Sequence, residues 1–313
     1  MKAKRKVLIL GGNGFIGSNL TRLLSENAEY DAASFDCAEP AVRLENVTYL
    51  TGDFFNDLEL RDLVQEYDVI YHAVSTLNPG NSNRLYLQGY ERDFVQSVHL
   101  CEYVHQLKKK MIFLSSGGTV YGKHSEKERV SEEDFCRPIN HYGTVKHCIE
   151  NVMLSFTSQN PEDQMIIARL SNPYGPGQDY RKGVGVIDAL LKNAIHGTPM
   201  TVWGDGEVVR DYIHIEDACG MLAALAKYEG KDRVFNLSSG LGYSVNDLIA
   251  IVRDLYPQLE VIYQAARSVD IPRIVLDNRR ILRVFNRSLI PIETGIRQYA
   301  QHIEKQKAEE QTP

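Results

Sequence analysis

Tyr142 and Lys146 are the residues whose types and spacing best suit acid/base chemistry. They stand four positions apart in a stretch that continues with Ile149, Val152 and Met153 at helical spacing, so the phenol and the ammonium point along one helix face. A lysine placed in this way can lower the pKa of the phenol. Such a tyrosine can exchange the proton of a substrate hydroxyl while a hydride moves. By itself the pair also fits an amphipathic helix with a surface lysine.

A glycine-rich loop indicates what accepts the hydride. Residues 11–17 read Gly-Gly-Asn-Gly-Phe-Ile-Gly, directly after a short apolar run and before a stretch with leucines at helical spacing. Glycines let the backbone turn tightly towards a pyrophosphate, and the free amides of a helix N-terminus stabilise its charge. A loop without a ligand is the alternative when the pattern stands alone. The residues predicted to bind the dinucleotide here are Gly11, Gly14, Phe15, Ile16 and Gly17.

Asp36 strengthens this interpretation because it lies about twenty residues beyond the loop, at the end of a second predicted strand. A carboxylate at that place accepts hydrogen bonds from the adenosine ribose and repels a 2′-phosphate. The pattern therefore predicts NAD rather than NADP. The alternative role of Asp36 is that of a residue that forms a turn at a strand end. Asp53 and Phe54 follow a third predicted strand, from Val47 to Leu50.

The elements that must position these residues follow an alternating pattern. Apolar strand candidates alternate with amphipathic helical stretches, as where Phe94, Val98 and Cys101 recur at spacings of four and three. This alternation predicts an α/β protein with a doubly wound parallel sheet, a Rossmann fold. Besides the strand from Val47 to Leu50, the strand candidates are Val7 to Leu10, Ala32 to Phe35, Val69 to Ala73, Met111 to Leu114 and Met165 to Leu170.

A change in amino-acid composition after Ser171 predicts a second lobe. Glycine and proline follow one another closely from residue 173 to residue 185, as expected where loops build a site. We predict that residues 1–171 and about 211–240 form the NAD-binding domain. Residues 172–210 and 241–313 then form a smaller α/β lobe that binds substrate. The charged tail from Glu304 to Pro313 is predicted to fray.

Size and charge exclude some classes of protein. The 313 residues allow one large or two joined domains, and the apolar share of 43% is that of a globular protein. A net charge of -6 argues against a nucleic-acid partner. The run from Val7 to Leu10 is too short for a signal peptide, and no segment has the length of a membrane span. We therefore predict no membrane association.

Cysteine and histidine usage indicates the compartment and the absence of a metal. The five cysteines are odd in number, scattered and without a Cys-x-x-Cys pair, which is typical of reduced thiols in a cytoplasmic protein. The nine histidines include no His-Glu-x-x-His or similar ligand spacing. The sequence therefore predicts no metal.

Five motifs in a fixed order reveal a resemblance that covers nearly the whole chain. They are Gly-Gly-Asn-Gly-Phe-Ile-Gly-Ser from Gly11, Ser-Ser-Gly-Gly-Thr-Val-Tyr-Gly from Ser115, Tyr142 with Lys146, Arg-Leu-Ser-Asn-Pro-Tyr-Gly-Pro-Gly-Gln from Arg169, and Arg-Asp-Tyr-Ile-His-Ile-Glu-Asp from Arg210. Each motif is degenerate, but the ordered set resembles the extended short-chain dehydrogenases that act on nucleotide sugars. It is most similar to their 4-epimerases.

The resemblance implies an NAD-dependent enzyme, a nucleotide-sugar substrate and a homodimer formed through the helices around Phe94 and Tyr142. It implies that Tyr142 is the catalytic base and Lys146 its electrostatic partner. The cofactor-binding residues that it implies are Ala73, Ser75, Ser115, Tyr142, Lys146 and Pro173, with Asp53 near the adenine. The substrate-binding residues that it implies are Asn172, Arg210, Arg267 and Asp270, with Val202 and Trp203 beside the base. Considered separately, the arginines could be surface charges, and Trp203 could be core packing.

Two residues depart from the family pattern. Relatives usually carry Ser or Thr at the position of Gly117, where the hydroxyl polarises the reacting sugar oxygen, so either Ser116 or Thr119 must supply that hydroxyl here. Asp93 stands where relatives often have Asn in the helix that lines the cofactor.

Absent residues discriminate between reaction types. Dehydrating relatives place an Asp-Glu pair where this chain has Gly118 and Thr119, and decarboxylating relatives need Glu at the second of these positions. Epimerisation needs only Tyr142 and tightly held NAD, so it is favoured. A nucleotide-sugar dehydrogenase or reductase is the first alternative, and a non-catalytic dinucleotide-binding regulator is the second.

Overall fold

The computed structural model describes residues 4–124, 127–183, 185–265 and 271–310. Their strands are β1 (Arg5–Leu10), β2 (Tyr30–Asp36), β3 (Val47–Thr51), β4 (Val69–His72), β5 (Lys110–Ser116), β6 (Gln164–Leu170), β7 (Asn172–Tyr174), β8 (Met200–Trp203), β9 (Val209–His214), β10 (Val234–Leu237), β11 (Gly242–Ser244), β12 (Val261–Gln264) and β13 (Arg273–Ile274). Their α-helices are α1 (Phe15–Ser25), α2 (Asp57–Gln65), α3 (Tyr86–Gln88), α4 (Val95–Gln106), α5 (Gly117–Val120), α6 (His141–Gln159), α7 (Val186–His196), α8 (Ile215–Lys227), α9 (Val245–Leu255), α10 (Arg279–Leu282) and α11 (Ile292–Glu310). A π-helical turn (Gly89–Phe94) joins α3 to α4, and a 3-10 turn (Tyr180–Lys182) precedes α7.

The main sheet confirms the predicted fold class. Its strand order is β10-β6-β5-β4-β1-β2-β3, and all its neighbouring strands are parallel. Val7 to Leu10 are fully buried, as expected for a strand covered by helices on both faces. The strand order reverses between β1 and β4, and ligands of such sheets bind at the carboxyl ends of the strands beside that point.

Two apolar layers cover the sheet. Helices α1 and α8 lie on one face, where Leu20 and Leu222 join the same buried cluster. Helices α4 and α6 lie on the other face, where Leu100 and Ile149 belong to a second cluster. The stretch with Phe94, Val98 and Cys101 is therefore helical, as predicted.

Smaller sheets lie beyond β6. Strands β11, β9 and β13 form one, in which β7 also pairs with β9, and β12 pairs with β8. A separate buried cluster includes Leu191, Val252 and Ile296. Strand β10 returns to the main sheet beside β6. We propose that the main sheet with its helices, and the smaller sheets with the separate cluster, are the two lobes expected from the sequence.

Most predicted elements are found, and the C-terminal tail is an exception. The six predicted strands are present, although β4 ends at His72 rather than at Ala73. The prediction that residues 304–313 fray is wrong as far as the chain is described, because α11 continues to Glu310. Tyr299 and Ile303 anchor this helix in the core, and the helix propagates from that packed part. No helix among the described residues is long and apolar enough to cross a membrane.

Candidate active site

The glycine loop joins β1 to α1 in a form that only glycine tolerates at two places. Gly11 has a φ of 80°, and a Cβ on Gly17 would lie 2.2 Å from the carbonyl oxygen of Gly11. Gly14 caps α1 without a side-chain hydrogen bond, so the first-turn amides around Phe15 and Ile16 receive no side-chain cap from it. This arrangement suits a pyrophosphate, which would lie against these amides and the N-terminus of the helix.

Two carboxylates lie beside the loop. Asp36 ends β2, and its oxygens accept hydrogen bonds from the amides of Asn13, at 3.1 Å, and Ala38, at 3.2 Å. The carboxylate is thus fixed at the edge of the loop, where a ribose of the bound dinucleotide would lie. Asp53 accepts a hydrogen bond from the amide of Phe55, and Phe54 is buried with its ring 5.0 Å from that of His72.

Asp93 explains one departure from the family pattern. Ala73 follows β4, and its backbone lies 3.1 Å from where a Cβ on Gly11 would stand. Beyond it, the hydroxyls of Ser75 and Thr76 and the amide of Thr76 all donate to the carboxylate of Asp93. A carboxylate fits because all three partners are donors, whereas an amide would offer only one acceptor atom. Asp93 therefore fixes the loop that follows β4.

Tyr142, Lys146 and Ser116 come together where β5 ends. The ammonium of Lys146 lies 5.7 Å from the centre of the Tyr142 ring and donates to the carbonyl of Leu114 at 3.0 Å. Ser116 is the last residue of β5, and its side chain hydrogen-bonds to the phenol of Tyr142. The helix begins one residue before Tyr142 because Asn140 caps it through a bond to the amide of Gly143.

Burial dominates the protonation of this pair. It raises the pKa of Tyr142 to about 12, while the hydrogen bond from Ser116 acts in the opposite direction and Asp93 adds to the rise. Burial also lowers the pKa of Lys146 to about 8. Lys146 is not among the causes of the Tyr142 pKa shift in this structure, where its ammonium bonds to the Leu114 carbonyl, and its expected lowering of that pKa stays a prediction. The hydroxyl of Ser116 provides a lowering effect.

Packing explains the glycine at position 117. A Cβ on Gly117 would lie 2.3 Å from Cδ1 of Leu276, a residue that is 1% exposed. The hydroxyl of Thr119, in α5, is buried and has no hydrogen-bond partner within the described chain. Of the two candidate hydroxyls, that of Ser116 therefore meets the phenol, and that of Thr119 has no partner within the described chain.

A buried ion pair beneath the site was missed at the sequence level. Glu150 follows Lys146 by one helical turn, and its carboxylate accepts bonds from Arg169 Nη2 at 2.7 Å and from the hydroxyl of Ser115 at 2.5 Å. Glu150 is 0% exposed and Arg169 is 4% exposed, so the charges depend on each other. The pair ties α6 to β5 and β6. A carboxylate one turn after the lysine was its only sequence signal.

The predicted substrate residues Asn172 and Arg210 lie in the smaller sheet, in β7 and β9. Asn172, before Pro173 in β7, donates to the carbonyl of Asp211 at 2.7 Å, and its side-chain oxygen lies 3.9 Å from where a Cβ on Gly118 would stand. Arg210, in β9, donates to the carbonyl of Ile271 at 2.7 Å.

The remaining substrate residues divide into described and undescribed positions. Val202 is buried in β8, whereas the neighbouring Trp203 is 44% exposed, which argues against simple core packing for that ring. The predictions for Arg267 and Asp270 lie outside the described residues.

Comparisons with known proteins show the family of this chain. The model of the NAD dependent epimerase/dehydratase family matches residues 7–238. A dTDP-4-dehydro-6-deoxyglucose reductase of Escherichia coli is 30% identical over 94% of this chain and 96% of its own. A putative UDP-glucose 4-epimerase of Methanocaldococcus jannaschii is 26% identical over 93% and 96%. The UDP-glucose 4-epimerase of Thermus thermophilus, solved with NAD, is 26% identical with a TM-score of 0.84, over 96% of this chain and 99% of that one.

Proposed function

The chain belongs to the NAD dependent epimerase/dehydratase family and uses NAD, and from this premise we propose that it is a nucleotide-sugar 4-epimerase. The observation that carries the proposal is the set of Tyr142, Lys146 and Ser116 at the end of β5, with no carboxylate in the segment from Ser115 to Val120. Proton exchange is the one chemical task for which this set is equipped.

The proposed reaction has two halves. Tyr142 takes the proton of the sugar 4-hydroxyl as a phenolate, which the ammonium of Lys146 stabilises before the transfer, and it becomes a neutral phenol. The glycine loop and Asp36 would hold NAD, which would supply the hydride acceptor for the first half and the hydride donor for the second. The 4-keto sugar rotates within the site between these halves, so that the hydride returns to the opposite face of C4, and Tyr142 gives its proton to the sugar 4-oxygen and becomes a phenolate again.

An epimerase must let the sugar ring rotate within the site as well as oxidise it. Inversion requires that the protein hold the nucleotide firmly and the hexose loosely. Arg210 supports this because it is a fixed cation, held by the Ile271 carbonyl and able to meet a phosphate. Asn172 lies between it and the reacting segment. Val202 and Trp203 are proposed to flank the base.

The roles of the two nearby hydroxyls are proposed from their contacts. Ser116 bonds to the phenol and would polarise the sugar oxygen together with it. Thr119 has a buried hydroxyl without a partner in the described chain, a costly arrangement that a substrate hydroxyl would relieve.

A nucleotide-sugar reductase is the second candidate, and one observation favours it. The Escherichia coli relative named as a reductase has the higher identity of the two curated relatives above, 30% against 26%. A reductase would consume reduced cofactor with each turnover, whereas an epimerase returns its cofactor unchanged.

The deciding experiment uses purified enzyme with UDP-, dTDP- and GDP-hexoses and follows both reactions at once. Proton NMR detects a C4 epimer, and absorbance detects net oxidation or reduction of the nicotinamide. We expect an epimer to accumulate without a net change of cofactor and without added NAD. Reduction of a 4-keto sugar with stoichiometric loss of reduced cofactor would favour the reductase.

We also propose a cytoplasmic homodimer. The two helices at the proposed interface are the stretch around Phe94 and α6, and Leu87 and Val95 on the first are exposed apolar residues, at 56% and 44%. Packing against a second copy would cover them, as in most symmetric dimers. Light scattering at micromolar concentration tests this, and a monomer would exclude it. All five cysteines are free thiols, which supports the compartment.

A further inference from the structure

A cluster of three potential metal ligands lies outside the proposed active site. Cys136 stands in the segment before α6, while His147 and Glu150 face it from that helix. One ligand atom from each side chain, a sulfur, a nitrogen and an oxygen, lies within 4.8 Å of the other two. These positions match no established ligand spacing, which is why the sequence alone predicts no metal.

His147 already links the other two side chains of the cluster. His147 hydrogen-bonds to Cys136, and its Nδ1 lies 3.2 Å from Oε2 of Glu150. In a zinc tetrahedron with bonds of about 2.0–2.1 Å, a nitrogen and an oxygen ligand stand about 3.3 Å apart. The imidazole and carboxylate therefore already have the separation that a bound cation requires.

The donor set selects the cation. Thiolate, imidazole and carboxylate together suit Zn²⁺ and its spectroscopic substitute Co²⁺, and they do not suit Mg²⁺, which prefers oxygen ligands alone. We propose that Cys136, His147 and Glu150 form a binding site for a divalent cation of the zinc class, with its fourth position open to water. Because the thiol and the imidazole must bind in their deprotonated forms, binding would release protons to solvent.

The surroundings allow both access and charge balance. The side chain of His147 is 27% exposed and Cys136 is half-buried, so an ion can enter from solvent. The carboxylate of Glu150 accepts hydrogen bonds from Arg169 and Ser115. Its Oε2 also faces His147, and the lone pair on that side is the one that would bind the cation. The sulfur must approach to about 3.6 Å of the other two ligands, a shift of roughly 1 Å or less for the segment that carries Cys136.

A cation bound at this site would affect catalysis through the neighbouring residues. His147 directly follows Lys146, and Glu150 holds the hydroxyl of Ser115 next to Ser116. A cation that draws the segment of Cys136 towards His147 and Glu150 would strain this turn of α6, and displacements of about 1 Å lower turnover strongly. We therefore expect Zn²⁺ to inhibit the enzyme.

The test uses the full-length protein with bound NAD and titrates it with Co²⁺. A cobalt–thiolate bond gives a charge-transfer band in the near ultraviolet, so binding is read without any activity measurement and independently of the proposed reaction. We expect one Co²⁺ per chain and displacement of the band by Zn²⁺ but not by Mg²⁺.

Variants assign the site to its residues. Cys136→Ser should abolish the band and the inhibition by Zn²⁺, and His147→Gln should weaken binding roughly tenfold or more. Cys148→Ser is the matched control, because this half-buried thiol lies beside His147 but outside the cluster, and it should leave binding unchanged. Thermal unfolding of each variant excludes misfolding. Absence of the band in the wild-type protein, or its persistence in Cys136→Ser, would overturn the proposal.

Discussion

Replacement of Lys146 by methionine should stabilise the folded protein while it removes activity. The lysine is 4% exposed, and burial lowers its pKa from 10.5 to about 8. Methionine has a similar length and flexibility and carries no charge, so it can occupy the same space. The charged side chain of Lys146 therefore serves function at a cost in the stability of the folded protein.

The pKa shift sets the magnitude. Each unit corresponds to about 1.36 kcal/mol, so a shift from 10.5 to about 8 costs the wild-type protein about 3 kcal/mol at pH 7. The hydrogen bond from Lys146 to the carbonyl of Leu114 offsets about 1 kcal/mol of this cost. The variant should gain about 2 kcal/mol in free energy of unfolding at pH 7.

The gain should depend on pH in a defined direction. Since the folded-state pKa lies below the unfolded-state value, the unfolded chain binds more protons between pH 8 and pH 10.5. The stability of the wild-type protein therefore rises through this window relative to that of the variant. The difference between the two proteins should shrink from pH 8 upwards and vanish near pH 10.

Urea unfolding of both proteins at pH 7, 8, 9 and 10 measures this difference. Both proteins must be stripped of bound nucleotide, because a ligand of the folded state adds its own stabilisation. Lys182→Met is the matched control, because that lysine is 72% exposed and its replacement should change the free energy of unfolding by less than about 1 kcal/mol. A Lys146→Met protein that is less stable at pH 7, or a difference that is constant with pH, would refute the reasoning.

Three further predictions concern the reacting segment. Tyr142→Phe should lower turnover by roughly two to four orders of magnitude while NAD and nucleotide affinities stay nearly unchanged, as steady-state kinetics and calorimetry would measure; undiminished turnover would exclude the proposed base. Ser116→Ala should lower kcat more than Thr119→Ala, because Ser116 bonds to the phenol, and the opposite order would transfer that role to Thr119. Gly117→Ser should destabilise the protein by about 1–3 kcal/mol, because the new side chain contacts Leu276. The double variant with Leu276→Val should lose less free energy of unfolding than the sum of the two single variants. Additive losses in chemical denaturation would show that the two positions do not interact.

The sequence predicted the fold and the chemical class because their signals are local. A glycine loop between a strand and a helix, followed by Asp36 at the next strand end, identifies a dinucleotide site from about 30 residues of chain. Tyr142 and Lys146 are placed relative to each other by the helical repeat alone. Parallel strands were readable from apolar runs such as Val7 to Leu10, since both faces of such strands are buried.

Tertiary structure decided what depends on residues distant in the chain. Leu276 fills the space beside Gly117, so the missing hydroxyl follows from packing that no local pattern records. The C-terminal helix extends into a tail that looks frayed in sequence, because core contacts near Ile303 anchor it.

The electrostatics of the site were also a tertiary property. Spacing predicted that Lys146 lowers the pKa of Tyr142, but desolvation by the surrounding fold raises that pKa to about 12. Glu150 looked like one more helical carboxylate until β6 placed Arg169 against it. The sequence by itself determined which groups can react, because residue type and local spacing carry that information. Burial and distant partners determined how those groups are charged and which hydroxyl meets the phenol, because both depend on what the fold packs around them.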